Sequence, residues 1–159
     1  MFGLMQAPRC RMQTFAPHGE FTIRSYENII RVDAQGPWNV ECTTEYVRQL
    51  KVRMRDIAKP FGVLMISHGQ PILGPDGEEV LRSSVRERVA LGCKAQATVL
   101  LEPSKTVEVA RSQYARVYVP EGLNHAIFRA IAPAAQWLIE HGFADVLRLC
   151  TDDGVAVLG

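Results

Sequence analysis

The chain has 159 residues, of which 47% are hydrophobic and 22% are charged. This composition is typical of a globular protein, and the length suits one domain with a hydrophobic core rather than two. The formal net charge of +1 excludes the strong basic field through which proteins bind nucleic acid or an anionic membrane by charge alone.

The cysteines and the first residues indicate the cellular compartment. Four cysteines, at positions 10, 42, 93 and 150, lie too far apart for a redox pair or a zinc motif. The first 20 residues lack a basic start followed by an apolar stretch and a small-residue cleavage site, so we expect no secretory signal. We therefore predict reduced, mostly structural thiols and a cytoplasmic location.

Hydrophobic periodicity divides the chain into an irregular arm over residues 1–20, a domain over 21–142 and a C-terminal extension over 143–159 that packs on the same domain. The predicted elements are a strand over 21–26, a strand over 29–34, a helix ending near 58, a strand over 62–67, a helix over 76–91, a strand over 97–101, a helix beginning at 103, a short strand over 127–130 and a helix over 133–141. Residues 143–150 fit a helical period, and residues 155–158 are compatible with a terminal strand; the choice between helix and strand in this extension stays open.

Local signals support these bounds. The polar pair Glu27-Asn28 between two alternating runs is typical of a tight hairpin turn. Asn39 is expected to cap the first helix through its side-chain oxygen. Asp76, three residues before Glu79, resembles a capping box that opens the second helix. The resulting order of strands and helices predicts an α/β fold.

The loop after the first central strand contains the best candidates for a binding site. The strand GVLMIS, over 62–67, is apolar on both faces, as a central strand is. The loop over 68–77 follows its carboxyl end, where open α/β sheets leave a crevice. The candidate ligand or partner residues are Ser67, His68, Gln70, Ile72, Leu73, Asp76, Leu81 and Val85. The alternative is that the polar members only satisfy local backbone groups.

No combination of a nucleophile, a base and an orienting group is evident, so we expect no catalytic residues and no enzymatic activity. Pairing of Cys93 with His68 or His125 lacks any local signature of a cysteine protease. The four histidines do not show the close spacing of metal ligands, and no motif indicates a cofactor. We expect neither a metal nor a cofactor.

The second predicted helix is rich in charge. Arg82, Arg86 and Arg88 interleave with glutamates, which predicts a solvated face with local ion pairs; a contact with a partner or a phosphate is the alternative. At least one of Ser83 and Ser84 is expected to lie where the helix packs on the sheet, since a small residue suits that contact. Phosphorylation of either serine stays open.

Taken together, the hairpin, Asn39 and the closing segment IFRAIAPAAQWL over 127–138 resemble the STAS-like family, typified by the anti-sigma-factor antagonist of sporulation, and in particular its SpoIIAA-like bacterial branch. The resemblance covers residues 21–142. It implies a small mixed sheet with helices packed mainly on one face, and a role in regulated protein–protein contact. The family's switch serine, set in an Asp-Ser-Ser-Gly-like motif, has no counterpart in GPDGEEVLRSS, where Asp76 occupies the cap.

Two functions follow as expectations. The first is a non-catalytic regulatory or protein-interaction module with an unknown protein partner. The second is binding of a small apolar ligand or lipid in a pocket under residues 68–77, because the SpoIIAA-like branch also resembles CRAL-TRIO lipid-binding domains. Peripheral membrane contact through the arm and a homodimer are compatible with either function, and no nucleic acid is expected as a partner.

Overall fold

The computed structural model describes residues 18–101 and 107–154. The strands are β1 (Glu20–Tyr26), β2 (Ile29–Gln35), β3 (Phe61–His68), β4 (Cys93–Leu100) and β5 (Asn124–Phe128), and the helices are α1 (Val40–Asp56), α2 (Pro75–Ala90), α3 (Val107–Tyr118) and α4 (Ile131–Glu140). The predicted arm up to residue 17, the predicted helix start at 103 and the predicted terminal strand over 155–158 lie outside the described residues.

The five strands form one mixed sheet in the order β1-β2-β3-β4-β5. β1 and β2 are an antiparallel hairpin, and Glu27 in its turn has a positive φ of 52°. Strands β2 to β5 are parallel, and a helix lies between each consecutive pair. Ala34 pairs with Ser67, and Ser67 pairs with Leu100, so the carboxyl ends of three strands lie side by side.

Helices cover the sheet mainly on one face, as predicted. α1, α2 and α3 pack on the first face, where buried side chains such as Tyr46, Leu81 and Val117 contact strand residues such as Val63. On the second face, α4 and the chain after it contact the alternate strand residues, among them Leu64. Since both faces are covered, the central strand β3 is apolar on consecutive positions from Phe61 to Ile66. None of the described helices is both long enough and apolar enough to cross a bilayer.

The segment after α4 consists of 3₁₀ turns, Ala144–Leu149 and Thr151–Asp153, rather than a regular helix. Arg31 on β2 holds this segment to the second face of the sheet. Its guanidinium donates to the Leu149 carbonyl at 2.7 Å and to the carboxylates of Asp33 and Asp153. The sequence did not decide between helix and strand here because the segment is short and its position depends on Arg31, which lies more than 100 residues earlier in the chain.

Three predictions from the sequence require correction. The cap of α2 is Gly74 with Pro75 in the first turn, so Asp76 is a first-turn acid and not the capping residue. β4 begins at Cys93, four residues before the predicted start. β5 is Asn124–Phe128, earlier than the predicted strand over 127–130. The cap of α1 is confirmed, because Asn39 Oδ1 accepts from the backbone N–H of Cys42 at 2.9 Å.

Candidate functional site

A cavity lies at the carboxyl ends of β2, β3 and β4, between the first face of the sheet and helices α1 to α3. Its volume is about 40 Å³. Aromatic and aliphatic side chains predominate in its wall, and no lining residue is charged at neutral pH. The lining residues are Ala34, Gly36, Trp38, Tyr46, Met65, Ser67, Gln70, Pro71, Leu73, Leu81, Thr98, Tyr114 and Tyr118.

The chain over residues 69–74, here called the cavity loop, covers this space and is attached to α3. The side-chain amide of Gln113 accepts from the backbone N–H of Leu73 at 2.9 Å and donates to its carbonyl at 2.8 Å. The hydroxyl of Tyr114 donates to the carbonyl of Pro71 at 2.8 Å. These three hydrogen bonds satisfy backbone groups of the cavity loop that have no partner in a strand or helix. They therefore set the distance of the cavity loop from the sheet.

At one edge of the cavity, the backbone at Gly36 lies close to the backbone of residues 68–70. The N–H of Gly36 donates to the carbonyl of His68 at 2.9 Å. A Cβ atom at position 36 would lie 1.9 Å from the carbonyl oxygen of Gln70, which no side chain tolerates. Glycine is therefore required at this position by space, and the edge of the cavity is set by the backbone.

Aromatic rings form the wall beside α1. The rings of Trp38 and Tyr46 lie 5.1 Å apart, and Phe21 packs edge-on against both. The indole N–H of Trp38 donates to the carbonyls of Glu20 and Gln35, which fixes the ring at the end of the hairpin. Ring contacts and backbone acceptors therefore position the side chains of this wall.

A polar strip of the sheet lies beneath the helices. Thr98 Oγ1 and His125 Nε2 lie 2.8 Å apart, and the imidazole stacks on Tyr118 at a ring distance of 4.1 Å. The side chain of Gln96 donates to the Tyr118 hydroxyl at 2.9 Å. Burial, and to a lesser extent the charge of Arg88, lowers the pKa of His125 to about 4. The imidazole is therefore neutral near pH 7.

Arg88 is the largest fully buried side chain, and its position corrects the prediction of a solvated arginine face on α2. Arg82 and Arg86 do form surface ion pairs, with Glu78 and Glu121 respectively. Arg88 instead points inward and donates to the Gln96 side chain and to Ser84 Oγ.

Two buried polar atoms of the described residues have no hydrogen-bond partner: the hydroxyl of Tyr46 and Nε of Arg88. Tyr46 has no exposed surface and lines the cavity. Burial raises the pKa of its phenol to about 12, so the hydroxyl keeps its proton. Buried polar groups are nearly always paired, and an unpaired one at a cavity indicates a place for an acceptor from outside the chain.

Four of the eight candidate residues line the cavity, namely Ser67, Gln70, Leu73 and Leu81. Val85 is buried in the core nearby, and Ile72 packs against the core without lining the cavity. Asp76 is exposed on the first turn of α2.

His68 does not belong to the cavity, because side chains alternate along a strand and it points to the face opposite Ser67. Its Nε2 lies 4.0 Å from Asp33 Oδ1 on the second face. Sequence reasoning grouped Ser67 and His68 because they are adjacent in the chain, whereas the pleat separates them.

Sequence reasoning did not assign the cavity residues contributed by α1, α3 and β4. Tyr46 and Tyr114 lie on the apolar stripes of their helices, where ordinary core residues also lie. A signal was present for Arg88, since it is seven residues after Leu81 and so returns to the same helix face.

The described residues offer little for nucleophilic or metal chemistry. Burial raises the pKa of the Cys93 thiol to about 11, so it is not a thiolate at neutral pH. Cys42, Cys93 and Cys150 are free and buried. Among the described residues, no three His, Cys, Asp or Glu side chains are grouped so that they could hold a metal ion.

No protein-family model matches the sequence, and no curated protein matches it significantly. The site is therefore interpreted from its own geometry.

Proposed function

We propose that this protein is a non-catalytic, STAS-like domain that binds a small ligand in the cavity beneath the cavity loop. The observation that carries the proposal is a partly open space with mostly apolar walls, lined by Tyr46, whose buried hydroxyl has no hydrogen-bond partner among the described residues. Sites for small molecules combine mostly apolar walls with a few placed polar groups, at the carboxyl ends of α/β sheets. The mixed sheet with three helices on one face supports the STAS-like assignment.

The size of the cavity limits the ligand. A volume of about 40 Å³ holds a few water molecules, whereas an apolar cavity of about 150 Å³ is needed to hold benzene. A lipid chain does not fit beneath the cavity loop in this conformation. We therefore propose a ligand of a few non-hydrogen atoms in place of the lipid considered from the sequence.

The absence of catalysis is part of the proposal. The hydroxyl–imidazole contact at the cavity joins Thr98 to His125, and an imidazole with a pKa of about 4 is a weak base near pH 7. Binding without turnover suits a sensory or regulatory domain. A cytoplasmic location belongs to the same proposal and is supported by the free, buried thiols of Cys42, Cys93 and Cys150.

A protein-interaction module is the second candidate, and one observation favours it. β5 is the last strand of the sheet order, so its outer edge faces away from β4. An edge strand presents backbone donors and acceptors to which a second chain can add a strand. An unknown protein partner or a second copy of this chain is the occupant that this candidate requires.

Small-molecule titration followed by NMR tests the ligand-binding function. A panel of small alcohols, amides and carboxylates is added to isotope-labelled protein, and we expect shifts at Thr98 and Leu73. The change Ala34→Leu places a larger side chain in the cavity wall and should abolish these shifts, while Ala132→Leu, at an exposed position of α4, should retain them. Shifts that persist in Ala34→Leu, or no response to any panel member, would contradict the proposal.

Native mass spectrometry of the protein from its own host separates the two candidates. A retained small molecule supports the first, and a retained protein or a homodimer without a small molecule supports the second.

A further inference from the structure

The charge of Arg88 has no counter-ion within the described part of the chain. The guanidinium is fully buried, and its hydrogen-bond acceptors are the neutral side chains of Gln96 and Ser84. No described carboxylate lies within ion-pair distance of it. Arginine does not lose its proton at accessible pH, so a positive charge is buried without a counter-ion among the described residues. Such a charge destabilises the fold unless an anion is bound.

This charge lies directly behind the cavity wall. The guanidinium carbon is 5.9 Å from the ring centroid of Tyr118, which lines the cavity. Gln96, which accepts from Arg88, donates in turn to the Tyr118 hydroxyl and to Oγ1 of Thr98, another residue that lines the cavity. One layer of neutral side chains therefore separates the charge from the space, and in a low-dielectric interior its field extends into that space.

Tyr46 lines the same cavity, and the charge of Arg88 acts on its buried hydroxyl. This hydroxyl is a donor without an acceptor among the described residues, and it is fully buried. A donor at the wall and a cation behind it both favour an acceptor that carries negative charge. The rest of the wall, including Trp38, Leu73 and Leu81, suits an apolar group.

We propose that the cavity ligand is a small carboxylate, whose charged group accepts from the Tyr46 hydroxyl and is stabilised by Arg88, while its short apolar part contacts Trp38 and Leu73. This inference rests on the proposed function and adds the chemical class of the ligand. It also gives Arg88 a role in binding, because the bound anion would be the counter-ion that the described residues do not provide for the guanidinium.

Matched pairs of probes test the charge. Acetate is titrated against acetamide, and propionate against propionamide, at constant ionic strength, with chloride as the background anion. The two members of each pair have nearly the same shape and differ in charge. We expect each carboxylate to bind about tenfold more tightly than its amide, the ratio that one hydrogen bond to a charged group provides.

Three variants locate the effect. Tyr46→Phe removes the donor and should reduce the carboxylate-to-amide ratio to about one. Arg88→Met removes the charge and should do the same. Arg86→Met, on the exposed side of the same helix, removes an equal charge that already pairs with Glu121 and should leave the ratio unchanged. Should Arg88→Met fail to fold, Tyr46→Phe decides alone.

The outcomes separate this inference from the proposed function. If carboxylates and amides both shift Thr98 and Leu73 with equal affinity, the cavity binds ligands but the anion inference is wrong. If neither class shifts these residues, the proposed function itself fails. A preference for carboxylates that persists in both Tyr46→Phe and Arg88→Met places the anion elsewhere and overturns the inference.

Discussion

Two tyrosines at the cavity differ in one respect that stability measurements can detect. Tyr46 and Tyr114 are both buried, but the hydroxyl of Tyr114 donates to the Pro71 carbonyl while that of Tyr46 has no partner among the described residues. Removing a satisfied buried hydroxyl leaves its acceptor unpaired, whereas removing an unsatisfied one removes a desolvation cost. We therefore expect the hydroxyl of Tyr114 to stabilise the fold and the hydroxyl of Tyr46 not to.

We predict that Tyr114→Phe lowers the free energy of unfolding by about 1–2 kcal/mol, and that Tyr46→Phe leaves it unchanged or raises it by up to about 1 kcal/mol. Urea denaturation of ligand-free protein measures both values, and each variant controls for the other because both exchange the same atoms. Equal losses in the two variants would show that Tyr46 has an acceptor, such as an ordered water.

At the scale of elements, the apolar runs of β3 and β4 could be recognised from the sequence because both faces of these strands are buried. The start of β4 could not, since Lys94 and Gln96 interrupt its apolar run. Gln96 is tolerated in the core because it accepts from Arg88, a residue on another element. A hydrogen bond between side chains of two different elements leaves no local pattern in the sequence. This one determines where β4 begins and which polar residues lie beside the cavity.

The cavity loop offers an element-scale test. Gln113 is almost fully buried, and its amide makes both hydrogen bonds to the backbone of Leu73. We predict that Gln113→Ala speeds hydrogen exchange of the Leu73 amide about tenfold or more, since local opening then costs one or two hydrogen bonds less. Exchange in β3 should not change.

Gln136→Ala is the matched control, because Gln136 is an exposed glutamine that bonds Glu140 on the same helix. It should leave exchange at Leu73 unaltered. Unchanged exchange in Gln113→Ala would mean that Tyr114 alone holds the loop, through its bond to Pro71.

At the scale of the whole molecule, the location of the cavity could be predicted from the sequence, whereas most of its lining residues could not. The order of strands and helices places the loop over 68–77 at the carboxyl edge of the sheet, and the cavity lies there. Its walls come from α1, α2 and α3, whose relative rotation depends on packing of the complete core. Tyr46 thus resembles an ordinary core tyrosine in the sequence. For Arg88, only its spacing of seven residues from Leu81 indicates burial.

The buried polar strip also sets how the stability of the whole molecule depends on pH. Burial, then the charge of Arg88, lowers the pKa of His125 from its ordinary value of 6.5 to about 4. Between these values the unfolded chain binds a proton that the folded chain does not, so the free energy of unfolding falls as the pH drops from 6.5 towards 4. The total loss is about 2–3 kcal/mol, allowing for partial exposure of the imidazole.

Urea denaturation at about pH 7 and about pH 5, above the range in which most carboxylates titrate, measures this slope. His125→Gln keeps a group that can bond Thr98 and should remove most of the slope. His68→Gln alters a histidine whose side chain is 39% exposed on the opposite face, and the slope should persist in that variant. A slope that persists unchanged in His125→Gln would show that protonation of another group destabilises the fold, and that the strip beside Arg88 accepts a second positive charge.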